Sequence, residues 1–350
     1  MDMFNIPLTA MRRLLLLPLL LIPWNGNADA ATLGRRMIVG QSGQTISVPD
    51  APSRIADLWF AHTEIMVMLG AASLIAVTVE RPASDPWVFR IAPQLSKAIQ
   101  LSNTTPNAES LLAAGVDLAF APSGSPAAPA ARRVGIPVLE VIFTDVASLV
   151  RCVDLTADVL NTVQARRTAS RYDAYLAEVI HDVRRRTDPI AMQARPRVLH
   201  IESLHPLKVD GNDTLIDTWI NIAGGRNAAI GLSGNQKPVS VEQIAAWNPD
   251  VIIVGGKIGV FDLSQMGSLW QSVKAVREKK VFRNPVGVFS WDRYGVEFAL
   301  QVQWAARLLH PALFRSTDMV GPTMQFYRDY FSYPLRKDEA QKIIDSQPPG

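Results

Sequence analysis

Segments with apolar residues at helical spacing alternate along the chain with short, nearly continuous apolar runs. Apolar residues at helical spacing, as in AHTEIMVMLGA (61–71), predict amphipathic helices. Between such segments lie short apolar runs that predict buried strands: LIAVTV (74–79), VDLAFAP (116–122), IPVLEVI (136–142) and PDVIIVG (249–255). Strands that alternate with helices at these lengths favour a parallel α/β sheet covered on both faces.

This alternation stops between residues 146 and 186, where strand signals are missing and Gly and Pro are almost absent. The segment predicts one short helix followed by one long helix, which Asp188-Pro189 ends. Strand and helix patterns resume with RPRVLHIE (195–202). We therefore predict two doubly wound α/β lobes joined by a single long helix.

The predicted organisation has four parts, which are a signal peptide (1–30), an N-terminal lobe (31–145), connecting helices (146–189) and a C-terminal lobe with C-terminal helices (190–350). Two local expectations are more specific. Residues 80–97, rich in Pro, aromatics and Arg, are predicted to form a loop. The segment MGSLWQSVKAV (266–276) is predicted to form one helix.

One helix-strand segment occurs twice. NAESLLAAGVDLAFAPS (107–123) aligns without gaps on SVEQIAAWNPDVIIVGG (240–256), so that Glu109 matches Glu242 and Asp117 matches Asp250. Its place within each predicted lobe favours an internal repeat over a chance similarity.

Composition narrows the class of protein. The chain has 350 residues, 48% hydrophobic and 19% charged, which is enough for two domains with their own cores. The net charge is only +3, and the longest basic run is Arg184–Arg186 in a helical pattern. These features give no indication of nucleic-acid binding.

The N-terminus has the features of a secretory signal. Arg12 and Arg13 precede a short apolar run (14–22), and Ala28-Asp29-Ala30 follows as a small-x-small cleavage site. The run is too short for a membrane span. Cys152, the single cysteine, lies far from the mature N-terminus, so neither a disulfide nor a lipid anchor is expected. We expect an exported protein that is free in an extracytoplasmic space and not tethered.

The order of several segments resembles the periplasmic substrate-binding proteins of ABC importers for ferric siderophores, haem and cobalamin. The resemblance covers about residues 43–335. It rests on the two repeated units and on three further segments: PSRIADLWFAHTEIMVMLGAASLIAVT, LIDTWINIAGGRNAA and FSWDRYGVEFALQVQWAARLLHPALF. In the first lobe, Gly115-Val116-Asp117 departs from the usual Pro-Asp.

The resemblance implies a binding protein without a cofactor or catalytic residues, which binds a metal chelate in a ligand cleft between the lobes and carries it to a permease. With this resemblance we expect a periplasmic monomer. The resemblance also implies that one exposed Glu per lobe docks on arginines of the permease dimer, and Glu109 and Glu242 occupy those positions. A carboxylate in the first turn of a short helix is favoured by the helix dipole, and arginine pairing gives directional contact.

Candidate ligand residues follow from the rule that open α/β sheets bind ligands at the carboxyl ends of their strands. Aromatic rings offer flat apolar contact, and Arg and Lys offer charge-assisted hydrogen bonds. The loops so selected carry Trp59, His62, Arg81, Trp87, Arg90, His205, Lys208, Lys257, Trp291, Arg293 and Tyr294, with Phe60, Phe89, Asn212, Phe261 and Phe289 beside them.

Other functions stay open at this point. A bare metal ion would need several converging ligands, and His62, His200 and His205 with Glu202 are the candidates. A chelatase-like enzyme would need a His/Glu pair such as His62-Thr63-Glu64. A sensor that binds the same ligand for signalling is a third alternative. Among chelates, ferric siderophores, haem and corrinoids all suit aromatic and basic loops.

Overall fold

The computed structural model describes residues 34–102, 106–259, 261–314, 316 and 318–350, and the predicted signal peptide lies outside them. Residues from Gly34 onward form one compact unit. Its strands are β1 (Arg35–Val39), β2 (Thr45–Pro49), β3 (Ile55–Asp57), β4 (Ile75–Thr78), β5 (Ile99–Gln100), β6 (Leu118–Pro122), β7 (Val138–Val141), β8 (Arg197–Leu204), β9 (Leu207–Val209), β10 (Arg226–Asn227), β11 (Lys237–Pro238), β12 (Val251–Val254) and β13 (Val281–Arg283).

Two sheets carry the architecture. The first has the order β5-β4-β3-β6-β7, and all its neighbouring strands are parallel. The second has the order β11-β9-β8-β12-β13, with β10 paired to the start of β8. Its central strands are parallel, whereas β9 folds back on β8 as a hairpin. In addition, β1 and β2 form an antiparallel hairpin.

Helices cover both sheets. They are α1 (Phe60–Met68), α2 (Pro86–Ile91), α3 (Ala108–Ala113), α4 (Ala127–Arg132), α5 (Val146–Leu160), α6 (Val163–Thr187), α7 (Leu215–Ile222), α8 (Val241–Trp247), α9 (Ser268–Ser272), α10 (Lys274–Arg277), α11 (Phe298–Leu309), α12 (Val320–Tyr330) and α13 (Lys337–Ile344). In the part of the chain that the structure describes, no helix combines the length and hydropathy that a membrane span requires.

The helix α6 connects the two sheets, as the sequence predicts. Asp145 and Ser148 form a capping box that starts α5, Asn161 ends it in the left-handed conformation, and Thr162 caps α6. Apolar side chains from both lobes, α5, α6 and α11 form one continuous core, so the joining helix is part of the packing. Smaller cores lie on the other face of each sheet.

Two local predictions were wrong. Residues 80–97 contain α2, which begins at Pro86 and buries Trp87, Val88, Phe89 and Ile91. Proline is favoured at the first helical position, so Pro86 is the signal in the sequence for this helix. The predicted helix in 266–276 is interrupted at Val273, which is extended (φ −70°, ψ 130°) and fully buried. There the Asn248 side chain accepts a hydrogen bond from the Lys274 amide (2.8 Å), which favours a new helix start.

Candidate functional site: a cleft at the strand ends

A cavity among the described residues lies at the carboxyl ends of β8 and β12, where an α/β sheet is expected to bind ligands. Its volume is about 800 Å³. It is lined by Gln236 and by residues of the segments 202–205, 255–262 and 289–294, with Met266 at its edge. Gly256 lines the wall, and no side chain fits there because a Cβ would collide with the Asn284 carbonyl and the Val286 side chain.

The floor of this cavity is a buried charge network. His200 is fully buried, with Nδ1 2.8 Å from Asp210 and Nε2 2.7 Å from Asp292. Burial alone would lower the pKa of His200, but the two carboxylates raise it to about 9, so the imidazolium donates to both. Arg293 bonds to Asp210 (3.2 Å) and also pairs with Glu202.

Two carboxylates of this network have pKa values that are shifted in opposite directions. Burial opposes ionisation of Asp210, yet His200 and Arg293 lower its pKa to about 2. Burial raises the pKa of Glu202, and Arg293 only partly offsets that effect. Three carboxylates therefore face two cations, so the carboxylates outnumber the cations in the floor.

The same floor contains a cluster that a metal ion could use. Ligand atoms of His200, Glu202 and Asp292 lie within 4.8 Å of one another. A metal needs a deprotonated imidazole nitrogen, whereas both nitrogens of His200 are held by carboxylates at hydrogen-bond distance. Metal binding here therefore requires His200 to lose its proton and Asp292 to move.

An aromatic cluster joins the two lobes beside the cavity. The Trp59 ring lies 4.9 Å from the Phe143 ring and 6.1 Å from the Tyr294 ring, measured between centroids. Phe143 and Tyr294 meet edge to face at 5.9 Å. The Tyr294 hydroxyl accepts a hydrogen bond from the Asn235 side chain. These contacts place one candidate ligand residue from each lobe together.

Four of the predicted ligand residues line the cavity, namely His205, Lys257, Arg293 and Tyr294, together with Phe261 and Phe289. His205 is exposed at the edge. Lys257 is bound to Asp85 of the first lobe (2.5 Å), and Arg293 is bound within the floor. The two cations are thus positioned in the cleft but are already paired.

The structure separates other predicted residues from this cavity. His62 is fully buried, and its ring nitrogens lie 3.0 Å from Asp57 and 3.0 Å from Thr156. Its prediction as a ligand residue does not agree with this position, because no part of the side chain is accessible. The pattern of apolar residues around it in α1 was the available signal for a core histidine.

The remaining basic candidates bind elsewhere. Arg81 donates to the Ser102 carbonyl (3.0 Å), and Arg90 bonds to Tyr333 (3.0 Å) and Glu339 (3.2 Å). Lys208 lies on β9 outside the lining of the cavity. These contacts leave the cleft with fewer free cations than the sequence suggested.

Two tryptophan candidates are core residues of the interlobe region. Trp87 is buried and donates its indole N–H to the Gln347 carbonyl (2.9 Å). Trp291 is buried and donates to Glu297 (2.8 Å). Each carries a polar indole group that needs a partner when buried, and each finds one within the protein.

Sequence reasoning missed three contributors to the site, namely Asp85, Gly256 and Asp292. Asp292 lies between two selected residues, Trp291 and Arg293, and carried no prediction of its own. Asp85 stands just before Pro86, a position typical of a helix start. Gly256 carried no prediction as a site residue, because its close neighbours Asn284 and Val286 are remote in sequence.

Glu109 and Glu242 occupy equivalent surface positions. Each lies in the first turn of its helix, α3 or α8, and each side chain is exposed. Asn107 caps α3 by accepting from the Glu109 amide (3.0 Å), and Ser240 caps α8 through a capping box with Gln243. Along the chain, α3 leads into β6 and α8 leads into β12.

Two α/β lobes on a connecting helix, with a ligand-sized cleft at the strand ends, define the class of solute-binding proteins. The sequence profile of the periplasmic binding protein family matches residues 61–285, and the chain belongs to that family. Members of this family are binding proteins of ABC transport systems, are not enzymes, and carry no cofactor apart from the ligand they transport.

Known proteins agree with this assignment. The chain is 25% identical to the molybdate-binding protein MolA of Haemophilus influenzae over 346 residues, covering 89% of this chain and 95% of MolA. The crystal structure of MolA bound to molybdate superposes with a TM-score of 0.76 at 21% identity, covering 86% of this chain and 99% of the other.

Two further solved structures share the fold. A periplasmic solute binding protein from Veillonella parvula has a TM-score of 0.76 at 23% identity, with 89% of this chain and 97% of the other covered. CeuE of Helicobacter pylori with Ni(II) bound has a TM-score of 0.73 at 18% identity, with 88% and 99% covered.

Proposed function

We propose that this protein captures a metal chelate, with ferric siderophores as the first choice, in the cleft at the ends of β8 and β12. The observation that carries the proposal is the size of the cavity, about 800 Å³. Cavities for small organic ligands span roughly 300–1,000 Å³, and a bare ion fills only a small part of such a volume. Phe261, Phe289 and Tyr294 supply flat apolar contact.

The charges in the lining narrow the choice of chelate. Lys257 and Arg293 are the Lys and Arg residues of the lining, and both are engaged by carboxylates. Glu202, Asp262 and Asp292 contribute negative charge at the same surface. A multiply anionic complex would meet more carboxylates than cations. The cleft therefore suits a chelate of low net charge, such as a hydroxamate complex, better than a catecholate.

A bare transition metal is the second candidate. The specific observation in its favour is the cluster of His200, Glu202 and Asp292 within 4.8 Å. Its cost is the loss of the His200 proton, so binding would strengthen as the pH rises toward the pKa of about 9. Molybdate, named for the Haemophilus influenzae relative, is tested in the same experiment.

Two exposed carboxylates are the proposed contacts with the permease that receives the ligand. We propose that Glu109 and Glu242 dock on arginines of the permease dimer, one from each lobe. We also propose that residues 1–30 are removed as a signal peptide, and that the mature protein is a monomer with its lobes divided at residues 145 and 190.

Tryptophan fluorescence of the protein from residue 31 tests the ligand assignment. The protein is titrated separately with ferric hydroxamate and catecholate complexes, haem, cobalamin, sodium molybdate and free divalent metals. Saturable quenching by one chelate, with none by its free metal, supports the proposal. A response to molybdate or to free metal alone contradicts it.

A pair of Tyr294 variants tests whether the fluorescence response comes from a ligand bound in this cleft. Tyr294→Ala removes the ring that packs on Trp59, and it should weaken chelate binding by about tenfold. Tyr294→Phe removes only the hydroxyl and should bind nearly as well as the unmodified protein. Equal binding by all three proteins would place the ligand outside this cleft.

A further inference from the structure

A second cavity lies directly beside the first. Its volume is about 360 Å³, and it is lined by residues 83–87 of the first lobe, 286–288 of the second lobe and 346–348 of the C-terminal tail. Gly256 and Lys257 line both cavities. The Lys257 side chain therefore lies at the boundary between them.

The boundary is formed by an ion pair between the lobes. Lys257 Nζ lies 2.5 Å from Asp85 Oδ1 and 5.2 Å from the centroid of the Phe289 ring. Asp85 is fixed, because its other carboxylate oxygen accepts from the Ser84 hydroxyl (2.9 Å) and the Arg81 amide (3.2 Å). The Lys257 side chain is 41% exposed, whereas that of Asp85 is 3% exposed.

These exposures make the lysine the movable partner. A ligand anion can join Asp85 at the exposed ammonium group, whereas full replacement would leave the buried Asp85 carboxylate without its cation. The lysine stem is flexible, and its ammonium group has three donors. No large rearrangement of the described residues is needed for Lys257 to turn toward a ligand.

The wall of the second cavity is mostly apolar, and hydrogen bonds hold its C-terminal segment in place. Trp87, Val286 and Val288 line it beside Pro86 and Pro348. The tail is held in place because the Trp87 indole donates to the Gln347 carbonyl (2.9 Å) and the Ser346 hydroxyl donates to the Asn284 carbonyl. The C-terminal residues thus close a cavity formed by both lobes.

We propose that this second cavity is a ligand subsite that accepts an apolar, preferably aromatic, arm, while Lys257 pairs with an anionic group next to that arm. The inference rests on the proposed function, since it assigns one end of the ligand to the larger cavity. An elongated chelate would occupy both cavities, with the acidic group between them. The subsite selects for ligand length and for an acid near the apolar arm.

An anilinonaphthalene sulfonate dye tests the subsite without knowledge of the natural ligand, because it combines an aromatic arm with an anion. Binding is measured by dye fluorescence with the protein from residue 31. We expect saturable binding that Lys257→Met weakens by about tenfold. Asp85→Asn should strengthen it severalfold, because it releases the lysine.

Two further variants make the test specific. Ala83→Trp places bulk at the exposed edge of the second cavity and should reduce dye binding by a similar factor. Lys280→Met removes a surface lysine paired with Glu278 and should leave binding unchanged. Thermal unfolding of each variant confirms that it is folded. Dye binding that is unaffected by Lys257→Met and Ala83→Trp, or not strengthened by Asp85→Asn, overturns the proposal.

The dye experiment and the chelate titration can fail independently of each other. If the dye variants behave as expected and no chelate quenches tryptophan fluorescence, the subsite stands and the chelate assignment fails. If a chelate binds and the dye ignores Lys257, the proposed function stands and the subsite fails.

Discussion

Asp117 and Asp250 make the same pair of contacts in the two lobes. The amide of Asp117 donates to the Arg54 carbonyl (2.9 Å), and its carboxylate accepts from the Arg54 amide (3.2 Å). The amide of Asp250 donates to the Arg197 carbonyl (2.9 Å), and its carboxylate accepts from the Arg197 amide (2.8 Å). Each aspartate therefore ties the start of its strand to the neighbouring central strand.

The arginine partners are equivalent as well. Arg54 donates from its guanidinium to the Ala114 carbonyl at the end of α3, and Arg197 donates to the Trp247 carbonyl (2.9 Å) at the end of α8. Carbonyl groups at helix C-termini lack partners within the helix, and cations are favoured there. The repeated segment is thus a matched structural unit of helix end, arginine and aspartate.

Asp117→Asn and Asp250→Asn test this unit. Each replacement weakens charge-assisted hydrogen bonds to backbone amides, so the free energy of unfolding should fall by about 1–3 kcal/mol, as measured by urea denaturation. Glu109→Gln, at an exposed position of the same unit, is the matched control and should stay within about 0.5 kcal/mol of the unmodified protein. Equal effects of all three changes would contradict the structural role of the aspartates.

Charge reversal tests the docking proposal. The double variant Glu109→Lys, Glu242→Lys should reduce uptake by at least about tenfold in vesicles that contain the permease, because each lobe would present the wrong charge to arginine. Ligand affinity should be unchanged, since neither side chain lines the cleft. Asp338→Lys, an exposed acid on α13, is the control. Unimpaired uptake by the double variant would exclude these docking residues.

The charged His200 predicts a pH dependence of stability. Its pKa of about 9 in the folded protein exceeds the ordinary value of 6.5, so its contribution is complete below pH 6.5 and is lost as the pH rises to about 9. The expected loss is on the order of 3 kcal/mol. His200→Gln should remove this slope from urea denaturation measured between these pH values. His181→Gln, at an exposed site on α6, should preserve it.

Gly295 lies where α1 of the first lobe contacts the second lobe. Glu64 of α1 accepts hydrogen bonds from the amides of Val296 (2.9 Å) and Glu297 (2.7 Å), and a Cβ at Gly295 would overlap its carboxylate. Gly295→Ala should therefore lower the free energy of unfolding by several kcal/mol, in the range of about 2–5 kcal/mol.

The matched control for that change is Gly321→Ala. Gly321 lies in α12 with open space where a Cβ would stand, so alanine should be neutral or stabilising by up to about 1 kcal/mol. Thermal unfolding of both variants measures the difference. If Gly295→Ala were as stable as Gly321→Ala, the close approach of Glu64 to the second lobe would be contradicted.

The sequence by itself determined the order of most elements, though not α2 or the break between α9 and α10, because strand and helix patterns report which face of each segment is buried. The long α6, the repeated unit and the strand ends that form the cleft are all local or periodic features. The selection of Lys257, Arg293 and Tyr294 also follows from position after a strand. The family of the chain was recognised from the order of these segments.

Only the tertiary structure decided which charges were free to meet a ligand. Arg293 meets Asp210 and Lys257 meets Asp85 across 83 and 172 residues of sequence. His62 and Trp87 became buried for the same reason, since their partners Thr156 and Gln347 lie on distant elements. Residue type and spacing in the sequence indicate which loop carries a side chain. Whether that side chain can contact a ligand depends on the partners that long-range packing brings to it.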